Sequence, residues 1–250
     1  MLTYRDYLRL PELLELQRPV GASPEPERLF IVVHQVYELW FSVLLETVEA
    51  ARDALIAGRL REARRQLARA HAALRLFAGQ FDLLETLAPQ EFAAFRDQLG
   101  SASGLQSVQY QEVRFLSGAK DPEYVHAARW LTAQERAGLE RRLAEPSLWD
   151  GYLSALTTHG LPTGSDEEIL GALSAIAADR DGDNDLWALA EDLRTFETLA
   201  AAWRLRHLQI AARHLGELSG GTGGTAGVEF LRGRVGQRYF PLLWRVKFEP

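Results

Sequence analysis

The sequence predicts an all-α protein that forms a single helical domain over residues 1–250. Three observations carry that prediction. Good helix formers (Ala, Leu, Arg, Glu and Gln) dominate the chain. Apolar residues recur at three- and four-residue intervals, while alternating β-branched runs bounded by Asn-Gly or Asp-Gly turns are missing. No linker is long enough to separate two domains, and no internal repeat is evident.

Taken in order, a first helix is predicted over residues 4–17. Residues 18–27 hold three prolines and Gly21 and read as a loop. A long helix follows over 28–57, stopped by Gly58. Another runs over 60–87, with a kink expected near Gly79. Pro89 opens a short helix reaching 99, since proline suits a first turn. The run Gly100-Ser101-Ala102-Ser103-Gly104 breaks the chain before a helix ending at 116. Residues 118–182 read as shorter helices that carry His126 and His159 in no clear pattern. An acidic loop at 181–185 leads into a last long helix over 186–215, then a glycine-rich run at 219–227 and a closing Phe240-Pro241 segment.

Composition excludes several function classes. Apolar residues make up 47% and charged residues 25%, the balance of a soluble globular protein. A net charge of −6 gives no basic excess for a nucleic-acid partner. Arg59, Arg61, Arg64, Arg65 and Arg69 read as a solvated helix face. The chain has no cysteine, which excludes disulfides, thiolate-ligated heme, iron–sulfur clusters and cysteine-built zinc sites, and is compatible with a reducing cytoplasm. MLTYRDYLRLPELLELQ carries charges within its first ten residues and does not read as a secretory signal. No uninterrupted run of about 18 apolar residues occurs, so no membrane span is expected.

Three positions combine polar chemistry with apolar surroundings. In the first long helix Phe30, His34, Tyr37, Phe41 and Leu45 share a stripe, placing His34 inside an aromatic wall. A desolvated imidazole there is neutral and suits a base or hydrogen-bond acceptor; a core histidine bonded to a backbone carbonyl is the plainer reading. In the last long helix Phe196, Trp203, His207, Ile210 and His214 share a stripe, with Arg204, Arg206 and Arg213 beside it. That face suits one side of a heme, the arginines meeting its propionates, or else a buried histidine with solvated arginines. Arg96 shares a largely apolar face with Phe92, Phe95 and Leu99, and calls for either a bound carboxylate or an internal ion pair. The glycine-rich run lacks the lysine of a P-loop, leaving a flexible connector or a loop that orders over a ligand.

Together these stretches resemble the tryptophan 2,3-dioxygenase family of heme enzymes. TYRDYLRL, LFIVVHQVYELWF, FDLLETLAPQEFAAFRDQLGSASGLQSVQY, WRLRHLQIAARHLG, GTGGTAGVEFL and YFPLLW carry the resemblance, in the family's order and over roughly half the chain. It implies heme b bound between long helices, with O2 as co-substrate and a small indole amino acid as substrate. His207 matches the axial ligand of the heme iron and His34 the distal histidine facing the indole N–H. Phe30 matches a residue of the indole pocket, and Arg96 the arginine that grips the amino-acid carboxylate. Leu99 and Ser103 match positions at the pocket and heme. Thr222 matches a loop threonine at the ammonium and carboxylate end. Tyr4 and Tyr7 match tyrosines that a neighbouring subunit contributes, the family being typically a homotetramer.

The chain departs from the family's pattern at several places. Phe92 stands where a tyrosine is usual, and Pro26-Glu27-Arg28 replaces an acidic, histidine-bearing stretch. Ser42 replaces a lysine, and Thr225-Ala226 a pair of serines. Neither the iron ligand nor the carboxylate arginine is touched. The expected reaction is therefore insertion of both oxygen atoms into tryptophan or a derivative, giving an N-formylkynurenine-type product. Insertion of one atom to give a 2-oxindole is the alternative within oxygenase chemistry. A heme sensor without turnover, or a helical interaction protein retaining only the fold, are the alternatives outside it.

Overall fold

Among the residues described by the computed structural model (1–21, 24–178, 184–216 and 227–246) there is no β-strand. The first predicted helix is in fact two, α1 (Tyr4–Tyr7) and α2 (Leu10–Leu14). Continuing one helix through Pro11 would set its ring against the carbonyl of Tyr7, so the chain breaks at Arg9, which adopts φ +52°. Proline has the opposite consequence in α3 (Pro24–Ile56), which starts four residues before the predicted boundary. Pro24 and Pro26 sit in its first turn, where a missing N–H costs nothing, and Glu25 and Glu27 complement the positive end of the helix dipole. Glu27 is buried, and its carboxylate accepts from the backbone N–H groups of Val20 (2.8 Å) and Gly21 (2.7 Å), pinning the preceding loop.

The chain then forms α4 (Leu60–Glu85), which passes Gly79 as one unbroken helix, and α5 (Pro89–Arg96), extended by a 3₁₀ turn at Asp97–Leu99. A second 3₁₀ turn, Gly104–Gln106, precedes α6 (Val108–Ser117). The shorter helices are α7 (Pro122–Ala127), α8 (Ala133–Ala144), α9 (Leu148–Thr158) and α10 (Asp166–Ala178). Next comes α11 (Asp185–Leu215), capped by the Asn184 side chain, so Asp185 belongs to the helix and not to the predicted acidic loop. After the glycine-rich run, which lies outside the described residues, come α12 (Val228–Val235) and a closing 3₁₀ turn at Pro241–Trp244.

Helix α4 is the shared support. Both α3 and α11 pack along it far more extensively than they approach each other. The main core runs through these helices and α9, with Leu44, Val48, Leu55, Leu67, Leu193 and Phe196 almost wholly buried. By length and composition α3 matches a membrane-crossing segment, with a mean hydropathy of 1.4 over 18 residues, a test that the core helix of a soluble protein also passes. Here its Val33, Tyr37, Phe41, Leu44 and Val48 are committed to the protein core.

The predicted solvated arginine face is partly a strut. Arg64 reaches Asp192 (3.0 Å) and Asp185 (3.3 Å), joining α4 to α11. The C-terminal segment is held by Glu197, a wholly buried carboxylate on α11. It accepts from Tyr239 N (3.0 Å), Phe240 N (3.3 Å) and Trp244 Nε1 (2.8 Å). Three N–H donors on one carboxylate make its burial tolerable.

Candidate active site

The space between α3 and α11 is floored by aromatic rings. From α3, Tyr37 and Phe41 each meet the Trp203 indole of α11 at 5.9 Å between ring centres, edge to face. Phe77 and Phe81 of α4 and Tyr110 of α6 complete the floor, at 6.2, 6.1 and 5.2 Å from Trp203. The Tyr37 hydroxyl is satisfied by donating to Phe77 O (2.9 Å).

One turn beyond that floor on each helix stands a histidine. His34 Nδ1 lies 2.7 Å from Phe30 O. A carbonyl can only accept, so Nδ1 carries the proton and Nε2 of the neutral ring keeps its lone pair. Burial holds the His34 pKa below its ordinary value, against a smaller opposing effect of the Phe30 hydrogen bond and Glu38. His207 stacks on Phe81 at 5.9 Å and lies 5.6 Å from Trp203. Its pKa is lowered to about 4, first by burial and then by the charge of His34, which places the two imidazoles within electrostatic reach. His207 as a residue is half-buried, between Phe81 and Trp203.

Beside His34 lies an apolar cluster. The Phe30 ring touches those of His34 (4.1 Å), Phe92 (5.6 Å) and Phe95 (5.5 Å). Leu87, Leu99 and Leu215 pack around the phenylalanines. Arg96 follows one turn after Phe92 on α5 and is half-buried. His214 bridges Ile210 O (2.9 Å) and Leu87 O (3.0 Å), tying the end of α11 to the residues before α5.

The structure therefore gathers Phe30, Phe92 and Leu99 in one apolar cluster beside His34, with Arg96 one turn after Phe92 and His207 within electrostatic reach of His34. Ser103 is half-buried, and its hydroxyl caps the Gly104–Gln106 turn by accepting from Leu105 N (3.3 Å). Tyr4 and Tyr7 are 75% and 71% exposed and make no ring contact among the described residues. Thr222 and the Thr225-Ala226 pair lie outside the described residues.

The sequence reading of the α11 arginines needs correction. Arg206 pairs with Asp82 (3.1 Å) and Glu85 (2.6 Å), and Arg213 donates to Glu85 O, because the last turns of α4 present these acceptors directly opposite. Arg204 turns inward, donating to Tyr239 Oη (3.0 Å) and Gln237 O (2.8 Å). Sequence reasoning missed the buried Arg114 and Glu197. Each lies among apolar neighbours in an otherwise ordinary helix, and only the fold reveals which side of the helix is inside.

The donor chemistry fits an iron porphyrin. His207 offers a neutral imidazole with no hydrogen bond to its ring nitrogens among the described residues, and the surrounding walls are aromatic. Comparison with known proteins points the same way. The family model described as tryptophan 2,3-dioxygenase matches residues 1–155 and 155–248. A Nocardioides protein named tryptophan 2,3-dioxygenase is 48% identical, over 99% of this chain and 94% of its own. Proteins of the same name from Herpetosiphon aurantiacus and Pseudomonas fluorescens are 37% and 35% identical, each over 98% of this chain and over 97% and 90% of their own.

Proposed function

The chain belongs to the tryptophan 2,3-dioxygenase family, and on that footing we propose that it opens the indole ring of L-tryptophan by adding both atoms of O2 across C2–C3, giving N-formylkynurenine. The observation that carries this reading is the pair of imidazoles, His34 and His207, each held toward its neutral form by burial and lying within electrostatic reach of one another on two helices that both pack along α4. His207 would hold heme b through its free lone pair. When bound, heme supplies the activation of O2, which no side chain provides.

The protein's own residues aim the substrate. Phe30, Phe92, Phe95 and Leu99 give the indole an apolar slot that sheds water. His34, its proton fixed on Nδ1 by Phe30 O, presents Nε2 as an acceptor for the indole N–H and so sets which ring edge faces the iron side. It orients the substrate and need not remove a proton. Arg96 receives the substrate carboxylate in its planar fork, and this fixed placement lowers the entropic part of the barrier. Ser103 borders the pocket, and Thr222 takes the ammonium and carboxylate end. Tyr4 and Tyr7 belong to a neighbouring copy's site in a homotetramer, a role their exposure supports. A cytoplasmic setting is part of the same proposal, and the cysteine-free sequence is compatible with it.

The single-oxygen alternative has no support in the relatives, which carry the dioxygenase name over nearly their whole length. Purified ferrous protein given tryptophan and isotopically labelled O2 should yield a product heavier by two labelled oxygen atoms. A gain of one atom, or no product, overturns the reaction. His207→Ala should lose the Soret band of the native protein; an unchanged spectrum removes His207 as the ligand.

A further inference from the structure

A cluster of three cations, two of them buried, lies one helical turn from His207 and plays no part in the reaction as described. Arg204 is buried beneath Tyr239, stacking on its ring at 5.1 Å and donating to its hydroxyl (3.0 Å). Arg114 of α6 is 0% exposed; it donates to Gln111 and to Gln237 Oε1 (3.0 Å). Arg234 of α12 joins them through Asp121, which lies 3.1 Å from Arg234 and 3.8 Å from Arg114. The phenol of Tyr110 lies within the field of all three guanidiniums, and its ring packs on Trp203 in the floor of the gap. The cluster is therefore continuous with the space between α3 and α11.

Its charges do not balance. Arg114 and Arg234 share Asp121, itself partly exposed, while Arg204 meets only the neutral Tyr239 hydroxyl and Gln237 carbonyl among the described residues. The next carboxylate, Glu197, is already saturated by three N–H donors, and its nearest cation is Arg238 at 3.9 Å. The hydrogen-bond inventory is lopsided in the same sense. Among the described residues Arg114 Nε and Arg204 Nε are buried with no acceptor, and so is Trp203 Nε1, which nears the Tyr37 hydroxyl without reaching bonding geometry. Unpaired buried donors beside surplus positive charge are costly, and a carboxylate answers both deficits at once. Burial and the neighbouring Arg234 also hold the Arg114 pKa below its usual value, the mark of a cation short of counter-charge.

We propose that Arg114, Arg204 and Arg234 form the carboxylate site that receives the propionates of heme, in place of the surface arginines of α11. The assignment rests on the heme-binding reading above and names the residues that would orient the porphyrin in its plane. A free small carboxylate could meet the same donors, and the test separates the two sources.

The full chain is loaded with heme, or with heme whose propionates are methyl esters, and transfer of each to a heme-scavenging protein is followed by Soret absorbance. The diester should leave about ten- to a hundredfold faster, since it forfeits one or more charge-assisted hydrogen bonds. Arg204→Met and Arg114→Met should speed loss of heme while leaving loss of the diester unchanged, with far-UV circular dichroism confirming that each variant is folded. Should either variant not fold, the native comparison of heme with diester still decides. Equal retention of heme and diester by the native chain, as with a free anion in the cluster, overturns the assignment alone. A variant that accelerates both ligands equally does the same. Absence of any Soret band in the native protein overturns the heme reading together with it.

Discussion

Replacing Glu197 by glutamine removes one charge and changes almost no volume, so it isolates what the buried carboxylate contributes. Its Oε2 accepts from Phe240 N and Trp244 Nε1, and its Oε1 accepts from Tyr239 N. The amide oxygen can keep the Oε2 pair. The amide nitrogen then faces the Tyr239 N–H, donor against donor, and one charge-assisted bond worth about 1.5–3 kcal/mol is lost. Relief of the carboxylate's desolvation offsets part of that, leaving a cost of about 2 kcal/mol. Glu197→Ala strands all three donors and leaves a void, for about 3–5 kcal/mol. Against a total stability of about 5–15 kcal/mol, both effects are large. Arg238 adds little, because it is half exposed and 3.9 Å away. Urea unfolding of the full chain by far-UV circular dichroism measures the losses, and tryptophan fluorescence reports release of Trp244. A Glu197→Gln variant within about 0.5 kcal/mol of the native protein would refute the reasoning. An alanine variant that costs less than the glutamine one would refute it too.

Arg96→Met should raise KM for tryptophan by about thirtyfold or more, from about 2–5 kcal/mol of lost charge pairing, while the heme spectrum stays unchanged; an unaltered KM removes Arg96 from substrate binding. Phe92→Tyr restores the hydroxyl usual in the family and should tighten substrate binding by about two- to twelvefold, worth about 0.5–1.5 kcal/mol; weaker binding would mean that the hydroxyl is stranded among Phe30, Phe95 and His214. Stability should also depend on pH through His71, which is buried and donates from Nε2 to Asp192 O (2.8 Å). Burial lowers its folded pKa below the ordinary 6.5, so the stability it confers is complete above that pH and falls as pH drops below it. Urea midpoints measured from pH 8 to pH 5 should decline more steeply for the native protein than for His71→Gln, and parallel declines would exclude His71 as a source.

The long helices and the stripe on which each histidine sits were legible in the sequence because burial imposes a 3.6-residue period on any helix packed against a core. Proline was ambiguous for a physical reason. Pro11 breaks a helix and Pro24 begins one, and the difference lies in whether a preceding turn exists for the ring to strike. That His34 and His207 come within electrostatic reach of one another could not be read from either helix, since it depends on how both lean on α4. The fates of Arg204 and Arg206 were equally hidden. The two are two positions apart on the helix, and what separates their fates is whether Tyr239 or Glu85 lies opposite.

Because α3 and α11 are joined mainly through a third helix, the folded chain has a seam that its own backbone does not close. Whatever fills that seam binds the native state and not the unfolded one, and so adds to stability by mass action, about 4 kcal/mol at a thousandfold excess over Kd. Newly made chains deprived of porphyrin would unfold more often and be cleared by proteases sooner. The cell's porphyrin supply would thereby set how much of this protein accumulates, before any question of how fast each copy turns over.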